Sequence, residues 1–199
     1  MDTVSFIRMD EGTPEDYEFL HKGEVAFTKL LPDRIMKSLK DLDNTLSGYK
    51  ISRFQHSLQS ATRAEEDGAD IELIMAALIH DLGDDLAPAN HSQLAATIIR
   101  PYVREEVTWV VSMHGLMQMY YFGPKDYSGK EIGINKELRE NYRNHKWFET
   151  CDKFCRDWDQ MSFDPDYPTK SLDYFKPMIQ ELFSREPFDP KYVEGPEFS

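Results

Sequence analysis

An apolar run that ends in two ionisable residues constrains this chain more than any other stretch of it. Ala77–Asp85 reads AALIHDLGD. Ile71 to Ile79 has the composition of a buried helix, His80 and Asp81 follow it directly, and Gly83 breaks the pattern. An imidazole and a carboxylate at the buried end of such a helix are costly to desolvate unless something pairs with both. A divalent metal ion does so, because neutral imidazole and carboxylate are good ligands for it. Neighbouring helical residues point about 100° apart, so the two reach one ion together only from a helix end. The second oxygen of Asp81 is then free to bridge to another ion. A hydrogen-bonded His–Asp pair that caps the helix is the alternative at this stage.

The rest of the chain carries helical period and no sustained β period, so the fold class is all-α. Thr13-Pro14-Glu15-Asp16 has a cap, a proline in the first turn and acids at the positive end, and starts a helix that should run to about Leu31, with Pro32 as its stop. Ile35, Leu39 and Leu42 mark a short helix ending near Ser47–Gly48. Ile51–Glu66 is a third, with Phe54, Leu58 and Ala61 on one face and His56 near its middle; Gly68 ends it and Asp70 caps the Ile71–Ile79 helix. Asn90 or Ser92 can cap a helix beginning at His91 that loses register at Pro101. Further helices are expected over Glu105–Phe122, Lys136–His145, Trp147–Phe163 and Leu172–Phe183, with a loop around Gly123–Gly133.

At 199 residues the expectation is one domain over residues 13–185, with tails at 1–12 and 186–199. The net charge of −13 argues against nucleic acid or an anionic membrane as main partner. The start lacks the apolar core of a signal peptide, and no stretch is long enough to span a bilayer, so a cytoplasmic location is expected. Cys151 and Cys155 make no disulfide framework, and without a second cysteine pair they are a weak zinc signal. Buried free thiols are the commoner outcome.

Four of the six histidines, His56, His80, His91 and His114, fall on successive expected helices or at their starts, as ligands converging inside a bundle would. Taken alone, His56 and His114 read as satisfied core residues. Beside His80–Asp81 the balance reverses, because four buried imidazoles without a shared purpose would be costly. His21 and His145 lie among charged residues and read as surface. Cys151, Cys155 and Asp159 fall at i, i+4 and i+8 on a helix rich in aromatics, so Asp159 is a buried carboxylate in need of a partner.

The order His56, His80–Asp81, His91, His114, Asp159 resembles the HD-domain superfamily, and more closely its mixed-valent diiron oxygenases, among which are phosphonate dioxygenases and, more distantly, inositol oxygenases. The matching stretches are Gln55–Asp70, AALIHDLGD, the His91 and His114 helices, and Arg156–Gln160, within about Tyr49 to Phe183. The resemblance implies an HD helical bundle with a dinuclear site in its core. It implies that His56, His80, Asp81 and Asp159 hold one ion and His91 and His114 the second, with Asp81 bridging. His80 and Asp81 are then the catalytic pair, and the cofactor is two irons, Fe(II)/Fe(III), with O2 as co-substrate and no organic cofactor. A donor set of nitrogen and oxygen without thiolate agrees with iron. The partner is a small molecule, and the protein is a monomer or homodimer.

Substrate contacts implied by the same resemblance fall at Arg156, Gln118, Asp84 and Tyr49. Arg156 matches an arginine of the phosphonate enzymes. Gln118 stands where they carry lysine, and Asp84 where relatives carry lysine or histidine. A substrate tyrosine and glutamate ten and seven residues before the first histidine are here Leu46 and Tyr49. Tyr49, beside Gly48, is a candidate gate over the open metal position, or an aromatic packed under the loop. Asp84 and Asp85 suit a cationic amine group, or form a solvated acidic turn. A metal-dependent phosphohydrolase acting on a phosphate ester or nucleotide is the main rival. The lack of lysine or arginine beside HDLGDD counts against it. A metal-binding domain without catalysis is a third reading.

Overall fold

Helix α4 (Ile71–Ile79) is the axis of the fold, since Ile74 through Ile79 are all buried. A computed structural model describes residues 3–45, 48–121 and 138–187. The other helices are α1 (Pro14–Thr28), α2 (Leu31–Asp41), α3 (Arg53–Glu66), α5 (His91–Ile99), α6 (Glu105–Gln118), α7 (Phe148–Lys153) and α8 (Leu172–Phe183). Short 3-10 turns cover Met9–Glu11, Leu42–Asn44 and Arg100–Tyr102. No strand occurs among the described residues. α4 packs against α3, α6 and α8; α5 lies on α6, and α2 covers the far side against α8. Ile79, Leu78, Met75, Val110, Phe154, Phe175 and Leu182 fill the space between them.

Local signals set these limits. Thr13 and Asp16 form a reciprocal capping box on α1, and Ser52 and Gln55 form another on α3. Asp70 accepts from the Glu72 and Leu73 amides at 3.0 and 3.2 Å. Gly68, at φ +77°, closes α3 in a conformation that β-carbons disfavour. Pro32 does not stop a helix but sits in the first turn of α2, where its missing N–H is not needed. The first helix therefore ends at Thr28. α6 ends at Gln118 rather than Phe122, and residue 122 lies outside the described residues, as do Leu46, Ser47, the 123–133 loop, residues 134–137 and 188–199. Of the helix expected over Lys136–His145, 138–140 are helical and turns follow.

The helix expected over Trp147–Phe163 changes its winding instead of running straight. α7 passes at Phe154 into a π-helical segment, Phe154–Asp159, with the Gln160 amide donating to the Cys155 carbonyl at 3.0 Å. Such widened turns hold a residue off the ordinary helical stripe. Cys151 and Cys155 are free and buried, and their thiols donate to the Val110 and His114 carbonyls on α6. Burial and the nearby Cys151 push the Cys155 thiol pKa well up, so it is an inert donor. α1 contrasts with all this: Asp16 is its one buried residue, while Tyr17, Phe19, Val25 and Phe27 remain exposed. No helix of the described residues is long and apolar enough to cross a membrane.

Candidate metal centre

The chain brings His56 (α3), His80 and Asp81 (the end of α4), His91 (α5), His114 (α6) and Asp159 (the π-helical segment) to one point in the core. All are buried except His91, which is half-buried. Two glycines permit this. A β-carbon on Gly83 would lie 2.6 Å from the His91 carbonyl oxygen, so the turn after Asp81 can pass beneath the start of α5 only without a side chain. A β-carbon on Gly115 would meet Ser92 Oγ at 2.7 Å, which lets α6 lie close enough for His114 to face His91.

The imidazoles form two pairs. His56 Nε2 and His80 Nε2 are 3.1 Å apart, and His91 Nε2 and His114 Nε2 are 3.3 Å apart. In three of the rings the other nitrogen is already committed to a backbone acceptor. His56 Nδ1 donates to the Ser162 carbonyl at 2.8 Å, His80 Nδ1 to Ala77 at 2.8 Å and His114 Nδ1 to Val111 at 2.6 Å. His91 Nδ1 lies 3.2 Å from Asp84 Oδ1. Whenever two facing rings are both neutral with the proton on Nδ1, they turn bare Nε2 lone pairs toward each other. Two lone pairs that close in a dry core repel unless a cation lies between them.

The carboxylates complete both groups. Asp159 Oδ1 stands 3.3 Å from His56 Nε2 and 3.7 Å from His80 Nε2. Asp81 Oδ2 is 3.5 Å from each of those nitrogens, and Asp81 Oδ1 is 3.5 and 3.4 Å from the Nε2 atoms of His91 and His114. One carboxylate thus turns an oxygen to each histidine pair. Donors about 2.1 Å from a single ion stand about 3.0 to 3.4 Å apart in octahedral or tetrahedral geometry. The separations, 3.1 to 3.7 Å, lie at or a few tenths above that spacing, so the residues suit metal binding better than a capped helix end.

Electrostatics point the same way. Burial pushes the His80 pKa down to about 4, which keeps it neutral and able to ligate. Burial alone would raise Asp81 and Asp159, but the neighbouring histidines, with Arg53 beside Asp81, hold both below the ordinary carboxylate value. Burial also opposes charge on His56 and His114, yet their bonds to Asp159 and Asp81 raise both above the usual imidazole value. A cluster that draws protons to its imidazoles in the absence of a metal exchanges those protons for metal when one binds.

A cavity of about 770 Å³ opens onto this cluster. His91, His114, Asp81 and Asp159 form its floor, and Tyr49, Phe163, Tyr142, Met113 and Met119 part of its wall. Tyr49 stacks on Phe163 at 5.1 Å between centroids, and Phe163 on His56 at 4.5 Å. Gln118 also lines the cavity, and its amide donates to Asp159 Oδ1 at 3.0 Å.

Two expected substrate contacts are placed elsewhere. Arg156 pairs with Asp152 at 2.9 Å and Asp157 at 2.8 Å, is half exposed, and does not line the cavity, because the widened turn that brings Asp159 inward leaves Arg156 facing its acidic neighbours. Asp84 faces His91 and Arg53 rather than the cavity. His145 is not a surface residue either: it is half-buried and stacks on Trp109 at 4.1 Å.

Arg53 went unmarked in the sequence. Its Nη1 donates to Asp81 Oδ2 at 3.0 Å, and its Nε lies 2.9 Å from Asp84 Oδ2, close enough for an ion pair but off line for a hydrogen bond. Among the described residues it is the one lysine or arginine lining the cavity. Its position one helical turn before His56 was the available signal, since i and i+3 share a helix face.

A family model described as the HD domain matches residues 53–162. The chain is also 28% identical over 94 residues to the [1-hydroxy-2-(trimethylamino)ethyl]phosphonate dioxygenase (glycine-betaine-forming) of Leisingera caerulea, covering 42% of this chain and 48% of that protein. The aligned part of the chain thus spans about half the length of that curated relative. Matched over more than half of its length and carrying a convergent His/Asp cluster in its core, the chain belongs to the HD-domain family.

Proposed function

We propose that this chain is an HD-domain diiron oxygenase that uses O2 to oxidise and cleave a C–C or C–P bond of a small polar substrate. The observation that carries the reading is the shared carboxylate of Asp81 between two facing histidine pairs. His56, His80, Asp81 and Asp159 would hold one iron, and His91, His114 and Asp81 the other. When bound, an Fe(II)/Fe(III) pair supplies a one-electron route to O2 and a Lewis-acidic position for a substrate hydroxyl. The chain's residues do the rest. Arg53 faces the cavity beside the shared carboxylate and receives an anionic substrate end, phosphonate or carboxylate. Tyr49, Phe163 and Tyr142 line the cavity with aromatic rings, whose π systems suit an amine or quaternary ammonium end. The relative's printed substrate carries both groups. Gln118 keeps Asp159 aimed inward.

Metal analysis with electron paramagnetic resonance on partly reduced protein tests the reading. A coupled Fe(II)/Fe(III) signal and O2 uptake on adding [1-hydroxy-2-(trimethylamino)ethyl]phosphonate or a hydroxylated amino analogue are expected. A second reading, a metal-dependent HD phosphohydrolase, is favoured by one observation: Arg53 in space supplies the cation that the sequence beside HDLGDD lacks. A guanidinium next to two ions also suits a phosphoryl group. Turnover of a phosphate ester under anaerobic conditions, with no O2 uptake on any candidate, would decide for it.

A further inference from the structure

Among the four inward-facing histidines, His91 alone is aimed by a side chain. His56, His80 and His114 are each locked by a backbone carbonyl, those of Ala77 and Val111 within helices and that of Ser162 just past the π-helical segment. His91 is the first residue of α5, more exposed than the other three, and its Nδ1 stands 3.2 Å from Asp84 Oδ1, at ion-pair distance but off line for a hydrogen bond. Asp84 is in turn paired through its other oxygen with Arg53, and Arg53 also donates to the shared carboxylate of Asp81. The result is a closed strap, His91–Asp84–Arg53–Asp81, that joins one ligand of the second site to the ligand both sites share.

We propose that Asp84 and Arg53 are positioning residues whose strap makes the His91–His114 site competent to bind its ion, while the His56–His80–Asp159 site forms without them. The proposal rests on the two-metal reading above. Asp84 stands with Asp81 and His91 in a group close enough to share an ion, but His91 turns Nε2, not Nδ1, toward His114, so Asp84 meets the far side of the ring from the histidine pair. A carboxylate in that place attracts the ring's N–H, and when the two align on metal binding it orients the ring and makes its other nitrogen a better donor. Arg53 balances the charge of Asp84 and keeps both carboxylates apart and aimed. Removing it takes a positive charge away from both sites, which by charge alone would strengthen cation binding. Any weakening in an Arg53 variant therefore reports orientation.

The test is a titration of the metal-free full chain with Mn(II), reading stoichiometry and affinity by calorimetry, with His91→Ala as the reference for an empty second site. Wild-type protein should take two ions. Asp84→Asn should take the first unchanged and hold the second 10- to 100-fold more weakly, the usual effect of losing such a partner. Asp84→Glu should restore part of it, and Arg53→Gln should weaken the second ion in the same direction. Circular dichroism of the metal-free variants should match wild type. In the Co(II) protein, each ligating imidazole gives a paramagnetically shifted exchangeable N–H proton, and Asp84→Asn should alter that of His91 alone. Two ions bound with unchanged affinity in Asp84→Asn, or tighter binding in Arg53→Gln, would overturn the strap while leaving the two-metal reading intact. A wild-type chain that never takes a second ion overturns that reading, and the strap with it.

Discussion

His56 and His80 stand inside the bundle with Nδ1 on the carbonyls of Ser162 and Ala77, whereas His91 stands at the start of α5 with Nδ1 on a side chain. The first half of the centre is as rigid as the backbone around it and is backed by Phe163 and Phe154. The second half opens on the cavity, where His91, His114 and their flanking residues Asn90, Ser92, Met113 and Gly115 line the wall. The difference teaches that one set of donors can carry two tolerances. A buried half suits a permanently held ion, and a half at the cavity floor suits an ion whose open positions must be reached from outside.

The most drastic way to break this comparison is Asp81→Ala, which removes the carboxylate common to both halves and should take the chain from two ions to none. Metal analysis after dialysis reads it. Next comes His56→Ala or Asp159→Ala, each of which should empty the first half and leave about one ion per chain. If either emptied both, the halves would not be independent. Gly83→Ala tests the cavity-side half without touching a ligand. Its new methyl group meets the His91 carbonyl at 2.6 Å, so the α5 start must move. Overpacking of this kind costs about 1 to 3 kcal/mol, and a lowered melting temperature with a weakened second ion is expected.

Acidification sharpens the comparison. His56 and His114, one in each half, have pKa values raised by their carboxylate partners against the effect of burial. Protons compete with metal for the same Nε2 lone pairs, so affinity should fall with falling pH in both halves, and because both pKa values are raised the loss should begin above the ordinary imidazole range. His80, held near 4 by burial, adds no competition until lower pH. Release in two well-separated steps, followed by pH-jump metal analysis, would show that the halves differ in proton affinity as well as in support. The smallest effect belongs to Arg156→Ala. Its partners are Asp152 and Asp157 at a half-exposed position, so metal content should not change and any KM shift should stay within about twofold.

The sequence made the helices legible where caps and glycines mark their ends. α4 and α8 were expected with the limits they have; Asp70 marked the start of α4, and the structure adds Ser171 as the N-cap of α8. Pro32 misled, since a proline reads equally as a stop and as a first-turn residue. The convergence of the His/Asp set was legible as an order of residue types on successive helices. What held those residues was not, because the partners are backbone carbonyls, identical in every residue, and one of them, that of Ser162, lies 106 residues from its histidine. Arg53 was hidden for a related reason: its partners Asp81 and Asp84 lie 28 residues or more further along the chain. Arg156 was expected at the site from its match to an arginine of the phosphonate enzymes, and the widened winding around it could not be read from that match.

That widened stretch, Phe154–Asp159, also bears on how this chain can vary. It holds one more residue per turn than the helix leading into it, and the surplus is what aims Asp159 at His56. Deleting any single residue of the stretch would let the turn close to the ordinary winding and swing Asp159 by about 100°. A deletion on an exposed loop is absorbed where it occurs, but one here is passed on to the centre of the molecule. Natural or engineered length variants should therefore tolerate gaps after Asp164, and none between Cys151 and Ser162. In this stretch the number of residues matters as much as their identity.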